Sequence, residues 1–394
     1  MHTKFAKRVG QIKSSEIREI LKVTERPEVI SFAGGLPAPE LFPVEEMRAA
    51  CDAVLKESGE QALQYGITQG KPALRQWIAE RMNGKGIKTD ADGVMVLTGS
   101  QQGLDLTGKV FIDEGDVILT ESPTYLAAIN AFKAYSPRFV SAEMDEEGMI
   151  MESLEEVLKK EPVKLIYTVS DFQNPTGRTM SLERRKKIVE LANRYNVIIV
   201  EDNPYGELRF AGEAVPPIKS FDTEGRVIYL STFSKIFAPG LRLGWLCASP
   251  EILQKYIVFK EGSDLHTDTF SQMIAARYLQ DFDIEKHIEE IRKVYGSRRN
   301  LMLKTMEETF PEGVKFTHPE GGLFLWVEMP EGINSRDVFA ECMKEDIAFV
   351  PGEPFFTNGK GQNTFRLNFS NMPEERIVEG ITKMGKVLTR VIKG

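Results

Sequence analysis

The chain has 394 residues, of which 42% are hydrophobic and 27% charged, and its formal net charge is −8 at pH 7. This length allows two domains or one large domain with an appendage, and this composition excludes a disordered chain. The excess of acidic residues argues against nucleic acid as the main partner, because nucleic acid is itself strongly negative.

The cysteines, the histidines and the apolar segments narrow the possible classes of protein further. The three cysteines form no C-x-x-C pair, so we expect core thiols in a reducing cytoplasm, and the four histidines lack metal-ligand spacing, so we expect no metal. No apolar run approaches the ~20 residues that span a bilayer, so we expect no membrane association. Residues 1–13 are basic but lack the apolar core of a signal peptide; they predict a structural arm, with an organellar transit peptide as the alternative.

The elements that precede residue 90 are predicted to be helices separated by irregular segments. Ser14 can cap a short helix that carries Arg18 on its polar face. The glycines and prolines of the loop 31–43 exclude regular structure, so this loop is either a plain linker or a place where backbone approaches a ligand. Further helices are predicted over 44–57 and 71–83.

From residue 94 onward, predicted strands and helices alternate. Continuous apolar stretches such as Val197–Val200 are typical of parallel strands that are covered on both faces. The alternation predicts right-handed crossovers and therefore an α/β fold with a large, doubly wound, mostly parallel sheet. The predicted strands are 94–98, 117–120, 138–142, 164–169, 197–201, 226–230 and 242–248, and the helices between them are 101–112, 124–134, 152–160 and 182–195.

The pattern changes after this sheet. Long amphipathic helices are predicted from 250 to 309, with an interruption near Gly262–Ser263, and a smaller α+β domain follows them. We therefore expect an N-terminal arm with part of the small domain in 1–55, a large α/β domain in 56–300 and the C-terminal small domain in 301–394. The strands predicted for the small domain are 315–317, 323–327 and 364–369, and its helices are 335–345 and 373–392.

Lys235, in the segment after the predicted strand 226–230, is the candidate catalytic residue. Its neighbours Phe233, Ile236 and Phe237 are apolar, and an amine that loses hydration favours its neutral form. A neutral amine can attack an aldehyde and hold it as a Schiff base. A surface lysine in a strand-to-turn link is the alternative interpretation.

Hydroxyls and a cation near this lysine suit a phosphate dianion. Thr232 and Ser234 supply the hydroxyls, and Arg242 supplies the cation, which we expect to point away from its leucine neighbours on an alternating strand. Ser100 and Gln101 open a predicted helix, whose free N–H groups and positive dipole end also favour phosphate. An ordinary serine N-cap is the alternative for Ser100.

More polar side chains follow the predicted strands, at the edge where an open α/β sheet binds its ligands. Tyr125 can lay its ring on a planar heterocycle, and Asn174 and Tyr205 can donate to a phenolic oxygen. Asp202 ends an apolar strand, and a protonated pyridine nitrogen would suit it, because burying a lone carboxylate costs several kcal/mol. A core aromatic, a turn signal and a helix cap are the respective alternatives for Tyr125, Asn174 and Asp202.

Arg366 is the candidate for binding a carboxylate. It lies on the polar face of a predicted strand whose other face carries Phe365, Leu367 and Phe369. An arginine fixed on a strand can bind a carboxylate through two parallel hydrogen bonds. A surface salt bridge is the alternative.

Together these segments resemble the aminotransferases of fold type I, class I, which depend on pyridoxal 5′-phosphate (PLP). They look like the branch that includes 2-aminoadipate and kynurenine aminotransferases. The segments that carry the resemblance are Phe32–Pro37, Gln64–Tyr65, Thr98–Gln102, Asn174–Gly177, Glu201–Asp202, Ser231–Trp245 and the strand of Arg366. The resemblance implies PLP as the cofactor, and it leaves the lead-in Asp171–Gln173 without a role.

The resemblance also implies how the cofactor phosphate is held. The residues that would bind it within one chain are Ser100, Gln101, Thr232, Ser234 and Arg242. Tyr65 would reach the phosphate bound by the neighbouring subunit. The enzyme would therefore be a homodimer with shared active sites.

The same resemblance implies the contacts of the ring and of the substrate. Tyr125 would stack on the ring, Asn174 and Tyr205 would bind its phenolic oxygen, and Asp202 would pair with its nitrogen. Arg366, helped by Asn174 and the backbone of Gly35, would bind the α-carboxylate of the substrate.

The implied reaction is a ping-pong transamination of small molecules. Lys235 would take the α-proton of the amino acid and return it at the cofactor carbon, acting as base and then as acid. The expected donor is 2-aminoadipate or glutamate, with leucine, aromatic amino acids and kynurenine as further candidates, and the expected acceptor is 2-oxoglutarate. A dicarboxylic donor needs a second cation, and Arg18 is the candidate. A β-eliminating PLP lyase and a PLP-binding regulator without catalysis are the alternatives.

Overall fold

The computed structural model describes residues 3–10 and 26–393. Its strands, numbered along the chain, are β1 (Ile30–Ser31), β2 (Val94–Thr98), β3 (Val117–Ser122), β4 (Arg138–Asp145), β5 (Gly148–Met149), β6 (Val163–Thr168), β7 (Ile198–Asp202), β8 (Val227–Thr232), β9 (Leu243–Cys247), β10 (Lys315–Phe316), β11 (Phe324–Glu328), β12 (Ile347–Ala348), β13 (Val350–Pro351) and β14 (Thr364–Asn368).

The helices cover and connect these strands. The α-helices are α1 (Val44–Ala62), α2 (Pro72–Gly84), α3 (Ser100–Phe111), α4 (Leu126–Lys133), α5 (Met151–Lys160), α6 (Leu182–Tyr195), α7 (Pro250–Asp264), α8 (Thr269–Asp281), α9 (Ile284–Thr309), α10 (Ser335–Met343) and α11 (Glu374–Lys393). Short 3-10 turns occupy Lys7–Gly10, Pro39–Leu41, Ala91–Gly93, Ile218–Phe221, Pro239–Leu241 and Glu353–Phe355.

The central sheet has eight strands in the order β2-β9-β8-β7-β6-β3-β4-β5. The neighbours from β8 to β4 pair in parallel, whereas β9 runs antiparallel to both β2 and β8. Because β9 is reversed, its first residue Leu243 pairs with Thr98 at the end of β2, and Gly244 pairs with Thr232 at the end of β8. The start of β9 therefore lies at the edge where the parallel strands end.

Both faces of this sheet are buried. On β3, Val117 and Leu119 pack in one hydrophobic cluster with α5 and α6, whereas Ile118 between them packs in a second cluster on the opposite face. Strand β7 repeats the pattern with Ile199 and Val200. Since side chains alternate across a strand, two separate clusters mean that helices cover the sheet on both sides. The predicted α/β fold with a large, mostly parallel, doubly wound sheet is confirmed.

A second, antiparallel sheet forms from the last hundred residues. Its strand order is β10-β11-β14-β13, and Trp326 on β11 faces Arg366 on β14 in the register. Helices α9 and α11 pack against each other beside it. The N-terminal strand β1 pairs in parallel with β12, so residues 30–31 join this part of the chain. The domain boundaries at residues 55 and 300 stay predictions.

The helical region after the large sheet differs from its prediction. The chain is helical through Gly262–Ser263 and breaks instead at Leu265, which has a φ of 65°. Asp268 then starts α8 by accepting a hydrogen bond from the backbone N of Ser271 at 2.6 Å. The glycine was the wrong signal because a helix interior tolerates a glycine at a cost of about 1 kcal/mol.

One predicted element cannot be compared with the structure. The short helix that begins at Ser14, with Arg18, lies outside the described residues. Over residues 3–10 and 26–393, no helix is both long and apolar enough to cross a membrane.

Candidate active site

A cavity of 730 Å³ opens at the edge where the parallel strands end and β9 begins. It lies between the large sheet and β11 and β14 of the second sheet, which contribute Phe324 and Arg366. The sequence-predicted residues that line it are Gly35, Ser100, Gln101, Tyr125, Asn174, Asp202, Tyr205, Thr232, Ser234, Lys235, Arg242 and Arg366. The fold thus brings together residues that are more than 300 positions apart in the chain, such as Gly35 and Arg366.

Lys235 lies just beyond β8, and its Nζ donates a hydrogen bond to the backbone oxygen of Gly35 at 2.7 Å. Burial, reinforced by the charges of Arg366 and Arg242, lowers the pKa of this lysine from 10.5 to about 8. A larger fraction of this amine is therefore neutral near neutral pH than in an ordinary lysine, and the neutral amine is the form that a nucleophile and proton acceptor requires.

The phosphate end of the cavity is built where α3 and β9 meet. Ser100 is the first residue of α3, and the hydroxyl of Thr232 lies 2.9 Å from that of Ser234. Gly99 has a φ of 73°, and a Cβ there would lie 2.5 Å from Nη2 of Arg242. A side chain at Gly244 would press on the backbone N of Ser100 at 2.7 Å. Because neither glycine has a side chain, the N-terminus of α3, the side chain of Arg242 and strand β9 can approach each other closely.

The expected conformation of Arg242 was wrong. It does not lie within an alternating strand; it follows the 3-10 turn Pro239–Leu241 with left-handed backbone angles of φ 53° and ψ 42°, one residue before β9. Its Nη1 donates to the backbone oxygen of Pro239 at 3.2 Å. The side chain still lines the cavity, because this turn aims it back toward Gly99.

Asp202 ends β7 and is almost fully buried. Its Oδ2 accepts a hydrogen bond from the hydroxyl of Tyr167 at 2.8 Å, whereas Oδ1 is buried without a partner among the residues that the structure describes. Burial raises the pKa of this carboxyl to about 7, against the opposing effect of the Tyr167 bond. An unpaired buried acceptor in a cavity indicates a ligand that donates a hydrogen bond to it. The sequence reading did not predict Tyr167, since a tyrosine within an apolar strand looks like a core residue.

Asn174, Tyr205 and Tyr125 lie around the middle of the cavity. The amide nitrogen of Asn174 is 3.4 Å from the hydroxyl of Tyr205. Burial raises the pKa of Tyr125 to about 12, and it also raises that of Tyr205, so both phenols are protonated hydrogen-bond donors. Tyr125 immediately precedes α4.

Arg366 closes the cavity on the side of the second sheet. Its Nη1 donates to Oδ1 of Asn174 at 2.8 Å and its Nη2 donates to the backbone oxygen of Ala33 at 2.7 Å. Its guanidinium carbon lies 4.2 Å from the centre of the Phe324 ring, and its Nε is buried and has no partner within residues 3–10 and 26–393. Burial lowers its pKa to about 10, so the arginine still carries its charge at neutral pH.

One predicted site residue, Tyr65, lies away from this cavity, and a second, Arg18, cannot be placed. Tyr65 is 78% exposed and packs edge-on against His266, away from the cavity lining. Arg18 lies outside the described residues. The lining residues that sequence reasoning missed are Leu126, Ala127, Asn130, Val169, Pro204, Pro239 and Phe324. Val169 and Pro204 follow the ends of β6 and β7. The criterion that identified Asn174 and Asp202, location at the end of a parallel strand, could therefore also have identified them.

The sequence of this chain is similar to those of known aminotransferases. The profile of the family described as "Aminotransferase class I and II" matches residues 29–384. The aromatic-amino-acid aminotransferase 1 of Thermococcus litoralis is 49% identical over 398 residues, which cover 99% of this chain and 95% of that protein. The chain is a class I and II aminotransferase.

Two solved structures resemble this aminotransferase over nearly its full length. The kynurenine aminotransferase of Pyrococcus horikoshii, solved with PMP and kynurenine, has a TM-score of 0.96 and 45% identity and covers 99% of this chain and 98% of its own. The α-aminoadipate aminotransferase of Thermus thermophilus, solved with N-(5′-phosphopyridoxyl)-L-leucine, has a TM-score of 0.93 and 41% identity with the same coverage. This aminotransferase is a PLP-dependent transaminase of fold type I.

The residues of the cavity fit PLP. The unpaired Oδ1 of Asp202 suits a protonated ring nitrogen, and the cradle at Gly99, Ser100 and Arg242 suits a phosphate. Lys235 lies in the same cavity with a lowered pKa. The ring nitrogen, the phosphate and the aldehyde of the cofactor therefore each have a complementary group in the cavity.

Proposed function

We propose that this cavity binds PLP and one amino acid at a time, and that Lys235 moves the proton that transamination requires. The observation that carries the proposal is the arrangement of three groups in one cavity. A lysine of lowered pKa, a carboxylate oxygen without a partner and a buried arginine all line it. They suit an aldehyde, a pyridinium nitrogen and a carboxylate, respectively.

The proposed cofactor contacts follow from these positions. Ser100, Gln101, Thr232, Ser234 and Arg242 bind the phosphate, because they offer N–H groups, hydroxyls and one cation at one end of the cavity. When bound, PLP serves as the electron sink for the α-carbon of the substrate.

The remaining contacts orient the ring. Tyr125 lies against its face, and Asn174 and Tyr205 donate to its phenolic oxygen. Asp202 accepts a hydrogen bond from its nitrogen through Oδ1, and Tyr167 holds the other carboxylate oxygen. Fixing one oxygen leaves the other aimed at the ring.

The proposed substrate contacts place the α-carbon near Lys235. Arg366 binds the α-carboxylate, assisted by Asn174, with which it already shares a hydrogen bond, and by the backbone of Gly35. The amine of Lys235, 2.7 Å from the backbone oxygen of Gly35, would take the α-proton as base and would deliver it, as acid, to the cofactor carbon. The rings of Phe324 and Phe355 beside Arg366 exclude water from this end.

The proposed donors are 2-aminoadipate and glutamate, aromatic amino acids, kynurenine and leucine, and the proposed acceptor is 2-oxoglutarate. The support is similarity to proteins named for aromatic amino acids, kynurenine and α-aminoadipate. Arg18 remains the candidate second cation for a dicarboxylic donor. If so, Arg18→Ala raises KM for 2-aminoadipate far more than KM for leucine, whereas equal effects remove it from the site.

We also propose that the enzyme is a homodimer whose two active sites each use residues of both subunits. We propose the cytoplasm as its location. The support for the dimer is the exposed Tyr65, which lies outside the cavity of its own chain and is suited to reach a neighbouring subunit. The division into an arm within 1–55, a large domain over 56–300 and a small domain over 301–394 belongs to the same proposal.

A single-turnover titration tests the substrate class. Protein reconstituted with PLP is mixed with one amino acid and no 2-oxo acid, and the cofactor absorbance and the released 2-oxo acid are measured. We expect one equivalent of 2-oxo acid per site, with the rank order among 2-aminoadipate, glutamate, leucine, phenylalanine and kynurenine identifying the donor. Release of pyruvate and ammonia from a substrate with a β-leaving group, without half-transamination, would favour the lyase.

A further inference from the structure

Gln173, just before the Asn174–Gly177 turn, uses every hydrogen-bonding group of its side chain. The residue is 1% exposed. Its Nε2 donates to Oε2 of Glu121 and to the backbone oxygen of Pro123, both at 2.8 Å. Its Oε1 accepts from the backbone N of Thr176 at 3.1 Å and from the hydroxyl of Thr176 at 2.6 Å. A buried amide with all of these bonds made has one allowed orientation.

These bonds tie two loops of the active site together. Pro123 lies two residues before Tyr125, in the loop that follows β3, and Thr176 lies two residues after Asn174, in the loop that follows β6. Gln173 spans the gap between the two loops. Its side chain therefore sets the distance between the residue proposed to face the ring and the residue that bonds Arg366.

Glu121 holds the amide nitrogen of Gln173 in place. It is 1% exposed within β3, and it accepts hydrogen bonds from the hydroxyl of Thr168 at 2.6 Å, the backbone N of Val169 at 3.3 Å and the amide of Gln173. Burial raises the pKa of its carboxyl to about 7, although these donors oppose the shift. Since its donors belong to β6 and the loop after it, Glu121 anchors that loop to β3.

The loop does not depend on Gln173 for its fold. Asp171 forms a buried ion pair with Arg185, with an oxygen–nitrogen distance of 2.7 Å, and Nη2 of Arg185 also donates to the backbone oxygen of Ser170 at 2.9 Å. The turn itself closes through backbone bonds, from Gly177 N to the oxygen of Gln173 at 2.6 Å and from Gln173 N to the oxygen of Arg178 at 2.8 Å. Loss of the Gln173 side chain would therefore misplace Asn174 without unfolding the loop.

We propose that Gln173, anchored by Glu121, is a positioning residue that holds Asn174 in place to bind the substrate carboxylate together with Arg366. This inference rests on the proposed carboxylate role of Arg366 and Asn174. The side chain of Gln173 contacts neither the cofactor nor the substrate in this arrangement. It acts through Asn174, whose Oδ1 lies 2.8 Å from Nη1 of Arg366.

The test compares Gln173→Leu with the unaltered PLP-loaded enzyme. Leucine has a similar size but cannot bond Thr176 or Glu121. We expect KM for L-phenylalanine, and the dissociation constant of the unreactive carboxylate 3-phenylpropanoate measured by calorimetry, to rise about tenfold, because a buried hydrogen-bond network is lost. We expect kcat to fall less than about threefold, since Lys235 keeps its surroundings.

Two further variants test the same hydrogen bonds if Gln173→Leu folds poorly. Thr176→Val keeps the volume but removes the 2.6 Å bond to Oε1, so it should weaken 3-phenylpropanoate binding in the same direction. Glu121→Gln should retain nearly normal binding, because an amide oxygen can accept from Gln173 while the hydroxyl of Thr168 turns to accept from the amide nitrogen.

Tyr256→Phe is the matched control. It removes another buried bond, 2.7 Å between the hydroxyls of Tyr256 and Thr107, at a site that does not line the cavity. It should lower the melting temperature without changing carboxylate binding. The proposal is overturned if Gln173→Leu lowers the melting temperature as Tyr256→Phe does and leaves 3-phenylpropanoate binding unchanged.

Arg366→Gln separates this proposal from the function on which it rests. If this variant weakens 3-phenylpropanoate binding but Gln173→Leu and Thr176→Val do not, the positioning role fails while the carboxylate site stands. If Arg366→Gln itself leaves binding unchanged, the carboxylate site is elsewhere and the role proposed for Gln173 falls with it.

Discussion

At the scale of single residues, the chemistry of this site depends on how two arginines act on one lysine. Arg366 and Arg242 both lower the pKa of Lys235, in addition to the effect of its burial. The same arginines are the proposed anchors for a carboxylate and a phosphate. Anion binding and the protonation of Lys235 are therefore coupled, because an anion that neutralises either arginine removes part of the effect.

Replacing Lys235 with alanine or arginine should remove turnover. Alanine has no amine, and arginine keeps the charge but has no neutral form at ordinary pH. Loss of a general base alone costs about 10²–10⁴-fold, so we expect at least that loss in kcat for both variants. Single-turnover production of 2-oxo acid from PLP-loaded protein measures it. Lys304→Ala, at a lysine whose side chain is 72% exposed on α9, is the control and should behave normally. Parent-like turnover by Lys235→Ala would show that another group moves the proton.

The lowered pKa of Lys235 predicts how cofactor-free protein captures PLP at different pH. Only the neutral amine attacks an aldehyde, so the capture rate should rise with pH, reach half its maximum at about pH 8 and level off above that pH. An ordinary lysine would keep gaining rate up to about pH 10.4. Arg366→Gln removes one of the charges that lower this pKa, so its midpoint should move to higher pH. Stopped-flow absorbance between pH 7 and 10.5 measures both curves, and identical midpoints would contradict the assigned cause.

At the scale of elements, the phosphate end depends on the backbone of Gly99 between β2 and α3. Gly99→Ala places a methyl group 2.5 Å from Nη2 of Arg242, in a backbone region that is essentially restricted to glycine. The arginine must then move away from the phosphate site. We expect PLP affinity to fall about tenfold or more, because a charge-assisted contact is lost. Equilibrium titration of cofactor absorbance measures this change.

Gly115→Ala is the matched control for that experiment. Gly115 also has a positive φ, 91°, but a Cβ there would meet no atom of the described part of the chain within 4 Å. Alanine in such a conformation costs about 1 kcal/mol of stability without a collision. A lower melting temperature with unchanged PLP affinity is therefore expected. If both variants lost affinity equally, backbone strain alone would explain the result for Gly99.

Much of this architecture could be predicted from sequence because its strands are buried on both faces. Such strands read as continuous apolar runs, and β2 was predicted at residues 94–98, the bounds it has. The ligand groups could be found for a related reason, since polar side chains such as Asp202 stand out at the ends of these runs. Helix α6 was likewise predicted at 182–195, the bounds it has, and in the structure the left-handed residue Asn196 ends it.

The features that sequence reasoning missed depend on contacts between distant segments. Arg242 adopts a left-handed conformation beside Gly99, which no local alternation of leucines could indicate. Tyr167 looks like a core residue until Asp202 is found 2.8 Å away. The two-residue strands β1 and β12 exist only because residues 30–31 and 347–348 meet. In each case the decisive partner is more than 30 residues away.

At the scale of the whole molecule, the position of Tyr65 bears on assembly. It lies in an exposed segment with Leu63 and Ile67, which are 76% and 50% exposed. His266 braces this segment by accepting a hydrogen bond from the backbone N of Gly66 at 3.2 Å. A braced, exposed apolar segment is suited to an interface. Under the proposed dimer, Tyr65 completes the phosphate site of the neighbouring subunit.

Shared sites predict that two impaired chains can complement each other. In a mixed dimer of Tyr65→Ala and Lys235→Ala chains, one site carries both substitutions and the other carries neither. Random exchange at equal concentrations makes about half of the dimers mixed, so about one quarter of all sites are intact. We expect activity at limiting PLP to recover toward that fraction.

The mixing experiment needs two controls and has one clear contrary result. Each variant, denatured and refolded alone, sets the baseline, and differently tagged chains recovered together show that exchange took place. If tagged mixed dimers form and activity stays at the baseline, Tyr65 does not serve a neighbouring site. Recovery, in contrast, requires a residue of one chain to act in the cavity that contains Lys235 of the other, because neither variant chain carries both side chains.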